Sequence, residues 1–297
     1  MSSHSRSVDL SVVIPVLNEG DNLRRTIKAV DGTLPPLSEI IVVDDGSTDG
    51  CCDFLQGSSA IRLLTPVAAG VRLGAPGARN RGAVHANGDV LIFLDAHVDV
   101  ANGWCEPLVA AAREPGVGAA APGISVMGRP ECCGFGLKFR DASLGVEWLP
   151  PPTSAPEAPL LPGACFAIAR DVFESQGGFD AGLLRWGSED AEFSLRLWTA
   201  GLGLRLVPEV TVAHLFRESH PYAIDWASVL HNMLRLAVVH FSAERLSHVV
   251  ERVKHYRDFA TAWVLLISTD TYARRADIHA RRTRNDNDYF SHFGDLR

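Results

Sequence analysis

Four short apolar runs, three of them closed by polar side chains, constrain the fold of this chain more than any other feature of it. They are Asp9 to Val16 (DLSVVIPV), Glu39 to Asp45 (EIIVVDD), Ile61 to Pro66 (IRLLTP) and Asp89 to His97 (DVLIFLDAH). Each is continuously apolar rather than alternating, which suits strands buried on both faces. Between them, Glu19 to Val30, Thr48 to Leu55 and Pro76 to His85 read as helices, the second opening on GSTDG, where Ser47 or Thr48 can cap. Strands alternating with helices predict an α/β fold, a Rossmann-like, mostly parallel sheet flanked by helices. In such open sheets the ligand crevice lies outside the carboxyl ends of the strands. Asn18 and Glu19, Asp44 and Asp45, and Asp95 and His97 all stand at that end, so they are expected to share one ligand site.

The length of 297 residues, with 46% hydrophobic and 21% charged, gives one large domain or one with a small appendage. A net charge of −7 argues against a general nucleic-acid binder, because phosphate contacts need a surplus of Lys and Arg. None of the six cysteines shows the CxxC spacing of a zinc or redox site, and reduced thiols are expected. The opening residues carry no signal-peptide core, and no apolar run reaches the roughly 20 residues of a membrane span, so a soluble, cytoplasmic protein is expected.

Beyond Gly116 the pattern loosens, and the Pro-rich EWLPPPTSAPEAPLLPG reads as an extended excursion before strand-like ACFAIA resumes. Helix signals return at Ser188 to Ala200, followed by a strand in LRLVPEVTVAHLF. From Asp225 the chain reads as helices with a charged tail, YARRADIHARRTRNDNDYF.

Four constellations carry chemistry. Asp95 and His97, two residues apart at a strand end, point the same way if the strand pleat continues, and offer two ligands for a divalent cation that accepts mixed oxygen and nitrogen donors, Mn²⁺ more naturally than Mg²⁺. On that tripeptide alone, an aspartate capping a turn beside an ordinary half-buried histidine explains the residues equally well. His214 ends a later strand-like run and would be the third ligand, while Arg217, His220 and Tyr222 behind it suit a diphosphate. In WGSED, Glu189 and Asp190 stand at a helix N-terminus, where the dipole alone accounts for carboxylates; the functional reading has one of them face the crevice and hydrogen-bond a hydroxyl or take an acceptor proton. Finally, Arg72, Arg79 and Arg81 flank a glycine-rich turn that could cradle phosphate, although arginine on a solvated helix face is the usual outcome.

With these residues in hand, the chain resembles the GT-A nucleotide-sugar glycosyltransferases of the family-2 type. SVVIPVLNEGDNLRRTI and IIVVDDGSTDG carry that likeness. From Val71 to Tyr222 it is similar, more specifically, to the catalytic domain of polypeptide N-acetylgalactosaminyltransferases, through FLDAH, GWCEPL, PGACFAIARDVF, WGSED and HLFRESHPY in that order. The resemblance implies a GT-A domain over residues 1–240 and a helical extension with a charged tail over 241–297. It implies that Asp95, His97 and His214 bind Mn²⁺. Pro15, Glu19, Asp44, Asp45, Arg72, Arg79, Asp95, Trp186, Arg217, His220 and Tyr222 would then bind a UDP-sugar, the last three from a lid, and Glu189 and Asp190 would act in catalysis.

Three departures from the family stand out. Ser188 replaces the second glycine of the Trp-Gly-Gly motif, which leaves the sugar open. Asp190 replaces the asparagine of the retaining polypeptide enzymes and matches the base of inverting family-2 enzymes. A carboxylate can deprotonate an attacking acceptor and an amide cannot, so inversion is the expectation. No membrane anchor or lectin domain is apparent, so a minimal version of the family is expected. The expected acceptor is a peptide or protein hydroxyl or thiol; the alternatives are a glycan, lipid carrier or small molecule, or a non-catalytic nucleotide-sugar-binding protein. A nucleotidyltransferase would carry a glycine-rich loop and lysine near the N-terminus, which VIPVLNEGDNL lacks.

Overall fold

The computed structural model describes residues 9–58, 60–65, 70–153 and 157–296. Strands β1 (Leu10–Val16), β2 (Ser38–Asp44), β3 (Ile61–Leu64) and β4 (Val90–Leu94) form a parallel half-sheet in the order β3-β2-β1-β4. The apolar runs of β1, β2 and β4 are buried, and Val12, Val13, Ile14 and all of Val90 to Leu94 have no exposure, whereas β3, at the edge of the sheet, is only half-buried with Arg62 exposed, so the burial expected for the third run does not hold. Helix α1 (Asp21–Asp31) turns Leu23, Thr26, Ile27 and Val30 inward at helical spacing. Helix α2 (Gly74–His85) lies so close to β1 that a Cβ on Gly82 would come within 2.2 Å of Val13 Cγ1. Pro66, the last residue of the third apolar run, lies outside the described residues.

The helix expected over Thr48 to Leu55 does not form; a single short turn at Asp53–Leu55 stands in its place. Asp44 Oδ1 accepts from Gly46 N and Ser47 N, Asn18 Oδ1 from Thr48 N, and Asp49 Oδ1 from Cys51 N. These side chains offer the backbone partners that compete with a helix, and Gly46 and Gly50 at φ +94° and +74° break it.

After β5 (Val98–Asp99) and α3 (Cys105–Ala112) come β6 (Val117–Val126), β7 (Arg129–Gly134) and the two-stranded hairpin of β8 (Leu137–Phe139) and β9 (Val146–Trp148). The small-residue run VGAAAPGISV of β6 is almost wholly buried, and it replaces much of the loosened stretch expected beyond Gly116. Next are β10 (Cys165–Ala169), α4 (Arg170–Ser175), α5 (Glu189–Thr199) and β11 (Gly203–His214). These strands extend the sheet as β4-β10-β6-β11-β5, with β7 on β6; β11 runs parallel to β6 and the other added pairings are antiparallel. Parallel pairing is therefore continuous through the first four strands and returns only at β6 and β11, so the whole sheet is mixed.

The order carries a geometric consequence. Four strand steps separate β4 from β5, which on a flat sheet is about 19 Å. The chain passes from Leu94 to Val98 directly, a reach of at most about 14 Å. The sheet must curl, and Asp95, Ala96 and His97 bridge the curl.

Helices α6 (Trp226–His240), α7 (Ala243–Val253), α8 (Phe259–Ile267), α9 (Thr271–Arg281) and α10 (Asp286–Phe293) complete the chain. The segment expected as a charged tail is helical and packed: Tyr289 and Phe290 join the same core cluster as Phe93 and Phe193, and Tyr289 Oη donates to Pro159 O at 3.0 Å. No helix among the described residues is long and apolar enough to cross a membrane.

Candidate active site

A cavity of about 390 Å³ opens at the carboxyl end of the parallel half-sheet. Pro15, Glu19, Asp45, Arg72, Arg79, Asp95, His97, Trp186, Glu189, Asp190, His214, Arg217, His220 and Tyr222 all line it. Of the residues singled out from the sequence for the site, Asn18, Asp44 and Arg81 do not; Asn18 Oδ1 accepts from Thr48 N at 2.8 Å instead. The Asp44 carboxylate is taken up by the turn after β2, and Arg81 reaches the carbonyl of Thr65 on the far side of α2.

Asp95 and His97 sit in the turn between β4 and β5, not on a strand, so their convergence does not come from the strand pleat. It comes from the curl. Asp95 N donates to Ala164 O at 3.0 Å, and β5 pairs antiparallel with β11 so that His214 stands opposite Val98. The His97 and His214 rings lie 4.7 Å apart, and His214 Nε2 is 3.4 Å from Asp95 Oδ2. One ligand atom from each of Asp95, His97 and His214 falls within 4.8 Å of the others. His214 Nδ1 is buried without a hydrogen-bond partner, a lone pair that a cation would satisfy. Two imidazoles and a carboxylate fit Mn²⁺. Glu19 Oε1 lies 3.2 Å from His97 Nδ1, close but not in hydrogen-bond geometry, on the side where a metal-binding histidine usually has an outer partner.

Burial alone would raise the Asp95 carboxyl, but His214, Arg79 and His97 outweigh it and hold the group well below the usual carboxylate range. Arg79, almost wholly buried, donates to Asp95 Oδ1 at 3.0 Å, Glu189 Oε1 at 2.9 Å and Gly163 O at 3.0 Å. Although it lines the cavity, its two terminal nitrogens are therefore taken up in tying the Asp95 turn to the start of α5 rather than held open for phosphate. Asp45 likewise accepts from Leu73 N at 2.5 Å and Gly74 N at 3.0 Å, with Arg72 Nε 3.5 Å away. Gly74, at φ +74°, is required there because a Cβ would come within 2.4 Å of Arg185 O.

Asp190 Oδ2 accepts from Gly163 N at 3.2 Å and Oδ1 from Ala191 N at 2.8 Å. Burial, and then the neighbouring Glu189 carboxylate, push its pKa up to about 6. Glu189 Oε2 accepts from Gly187 N at 2.8 Å. Over the cavity, Arg217 forms an ion pair with Glu19, the His220 ring lies 5.0 Å from Trp186 and 5.4 Å from Tyr222, and the Arg72 guanidinium covers Tyr222 at 5.5 Å. The segment expected as a lid therefore rests against the cavity wall.

Sequence reasoning missed Trp148 and Phe216, whose rings meet edge to face at 6.0 Å in the cavity lining. Trp148 lies on β9, in a stretch whose only sequence signal was its prolines. Phe216 could have been found, since it sits two residues after His214.

Residues 11–131 match the model of glycosyl transferase family 2, and residues 156–221 match the N-terminal domain of galactosyltransferase. Residues 11–131 carry a family-2 glycosyltransferase domain. The chain is 35% identical over 255 residues to polypeptide N-acetylgalactosaminyltransferase 11 of Xenopus tropicalis, which covers 77% of this chain and 42% of that protein. It is 34% identical over 237 residues to polypeptide N-acetylgalactosaminyltransferase 13 of Homo sapiens, covering 71% of this chain and 42% of that protein. The chain thus spans less than half the length of these relatives. A crystal structure of GalNAc-T7 with UDP, GalNAc and Mn²⁺ superposes with a TM-score of 0.76 at 26% identity, over 97% of this chain and 56% of that one. The mannosyltransferase PcManGT from Pyrobaculum calidifontis, solved with GDP-Man and Mn²⁺, shares the fold with a TM-score of 0.55 at 21% identity, over 91% of this chain and 79% of that one.

One departure from the family motif has a backbone reading. Ser188 sits at φ +66° and ψ 0°, the left-handed region in which an L-residue costs about 1–2 kcal/mol. Ser188→Gly is therefore expected to stabilise the protein by about 1 kcal/mol once the greater freedom of glycine in the unfolded chain is offset. Urea denaturation of the two proteins checks this, and an unchanged or lower midpoint would contradict it.

Proposed function

We propose that this protein moves a sugar from a UDP-sugar to a hydroxyl or thiol of a peptide or protein, using Mn²⁺ and inverting the anomeric centre. The observation that carries the reading is the convergence of Asp95, His97 and His214 in a cavity that Asp190 also lines. The likeness to GalNAc-T7 solved with UDP, GalNAc and Mn²⁺ supports the donor and the ion, and the polypeptide-modifying relatives support the acceptor.

The chemistry divides among residues already placed. Mn²⁺ held by Asp95, His97 and His214 would neutralise charge on the departing diphosphate. Arg217, on exchanging Glu19 for phosphate oxygens, adds a second cation at the same place. Asp45 and Arg72, at the end of β2 and before α2, would hold the nucleoside, and Trp186 would wall the sugar. Asp190 takes the proton from the acceptor hydroxyl or thiol as that atom attacks, and a pKa near 6 suits a base that must be ionised at neutral pH yet still bind a proton. Trp148 and Phe216, both still exposed, add an apolar edge to the cavity.

Incubation with Mn²⁺ and a panel of UDP-sugars, with and without a peptide library, should release UDP, and EDTA should stop the release. No UDP from any donor, with EDTA changing nothing, would remove the reading and leave a nucleotide-sugar-binding protein.

A further inference from the structure

The wall of the cavity at 184–187 is held in shape by a residue that never reaches the cavity. Arg185 and Gly187 sit at φ +50° and +102°, and Ser188 follows at +66°, so this segment does not adopt its path by intrinsic preference. Something outside it must determine the conformation. Asn232, on α6 and fully buried, does so with both ends of its amide. Its Oδ1 accepts from Leu184 N at 2.7 Å, and its Nδ2 donates to Leu184 O at 2.7 Å, Gly187 O at 2.9 Å and Trp186 O at 3.3 Å. The Leu184 N–H and the carbonyls fix which way the amide faces, and His231 Nδ1 lies 3.0 Å from the same Oδ1.

We infer that Asn232 is a positioning residue for the sugar-holding wall: it sets Trp186 and Gly187, and through Gly187 N the carboxylate of Glu189, while itself making no hydrogen bond to the nucleotide and metal residues. The inference rests on the reading under Proposed function. Its physical basis is the amide's dual character. A side chain of this size that accepts at one end and donates to three carbonyls at the other has no substitute among isosteres. Asn232→Asp places an oxygen against those three carbonyls, and Asn232→Ala leaves Leu184 N and the carbonyls without partners. Arg185 O accepts from Ala75 N at 2.6 Å, a second anchor that holds the segment to the start of α2 independently of Asn232.

The test compares Asn232→Asp and Asn232→Ala with the full-length wild type, using as a stability control Asn285→Ala, which removes the capping box of the distant α10. Readouts are thermal melting, UDP binding by calorimetry, and kcat and donor KM from UDP release. Misplacement of a reacting group by about 1 Å costs roughly 100-fold in rate. The expected result is a kcat about 100-fold lower in both Asn232 variants with UDP affinity within about threefold of wild type, whereas Asn285→Ala melts earlier but keeps its kcat. The inference is overturned if kcat falls only with the folded fraction, if UDP affinity falls in parallel with kcat, or if both Asn232 variants are unfolded by circular dichroism. A wild type that releases UDP from no donor overturns the functional reading itself, and this inference with it.

Discussion

Asp190→Asn is expected to lower the rate of sugar transfer by about 100- to 10,000-fold, the usual contribution of a positioned general base, while UDP-sugar still binds. The amide introduced by this substitution would keep the size and one hydrogen-bond acceptor of the side chain but could not take a proton. Single-turnover transfer, alongside calorimetric binding of the donor, checks both halves; unimpaired transfer would remove Asp190 as the base. The pH dependence follows from the same environment. With its pKa raised to about 6, Asp190 in the free protein loses its basic form as pH falls through that value, so kcat/KM should decline on the acid side with a midpoint near 6. The stability effect has the opposite sign. A folded-state pKa above the unfolded value of 3.8 means that the folded protein binds the proton more tightly, so this stabilisation is complete below about pH 4 and is lost as pH rises through 6. The stability difference between wild type and Asp190→Asn should accordingly move in favour of the variant between pH 4 and pH 7. Activity and stability would then pull this position in opposite directions.

His214→Ala should abolish metal-dependent UDP release at micromolar Mn²⁺. The same cluster supports a graded comparison: losing a direct ligand should cost more than losing Glu19, which only flanks His97, and an outer partner typically contributes about 10- to 100-fold in metal affinity. Glu19→Gln should therefore respond to added Mn²⁺ and recover turnover, although the Arg217 pairing changes too. Titrating UDP release against Mn²⁺ separates the two variants. Equal Mn²⁺ requirements in His214→Ala and wild type would remove His214 from the metal site.

What could be read from the sequence depended on how local the signal was. The parallel half-sheet was legible because β1, β2 and β4 are continuous Val, Ile, Leu and Phe runs, and a strand buried on both faces can be little else. The strand β6 was not, because its interior is Ala, Gly and Pro, and burial supplies what propensity does not. The failed helix after Asp44 was decided by side chains 30 residues apart in sequence, since Thr48 N bonds to Asn18. Asp95, His97 and His214 were found, but for a partly wrong reason: strand alternation was expected to aim the first pair, and a turn across the curl does so instead. Arg79 looked like a phosphate ligand because its ion pairs with Asp95 and Glu189 join residues far apart in the chain, which no window of sequence displays. Asn232 is harder still, because a lone asparagine inside a helix carries no sign of the strained loop it holds.

The curl of the sheet would make the proposed metal cluster a clasp. Two of its ligands lie on the bridge out of β4, and the third comes from the end of β11, more than a hundred residues later. An unfolded chain cannot hold all three around one ion, so a cation that fits binds only the closed form. By mass action it then deepens the folded well by about 2.7 kcal/mol at a hundredfold excess over its Kd. The ion that activates the donor would thus also lock the edge of the sheet, and the free energy of opening β5 from β11 becomes a function of how much metal surrounds the protein.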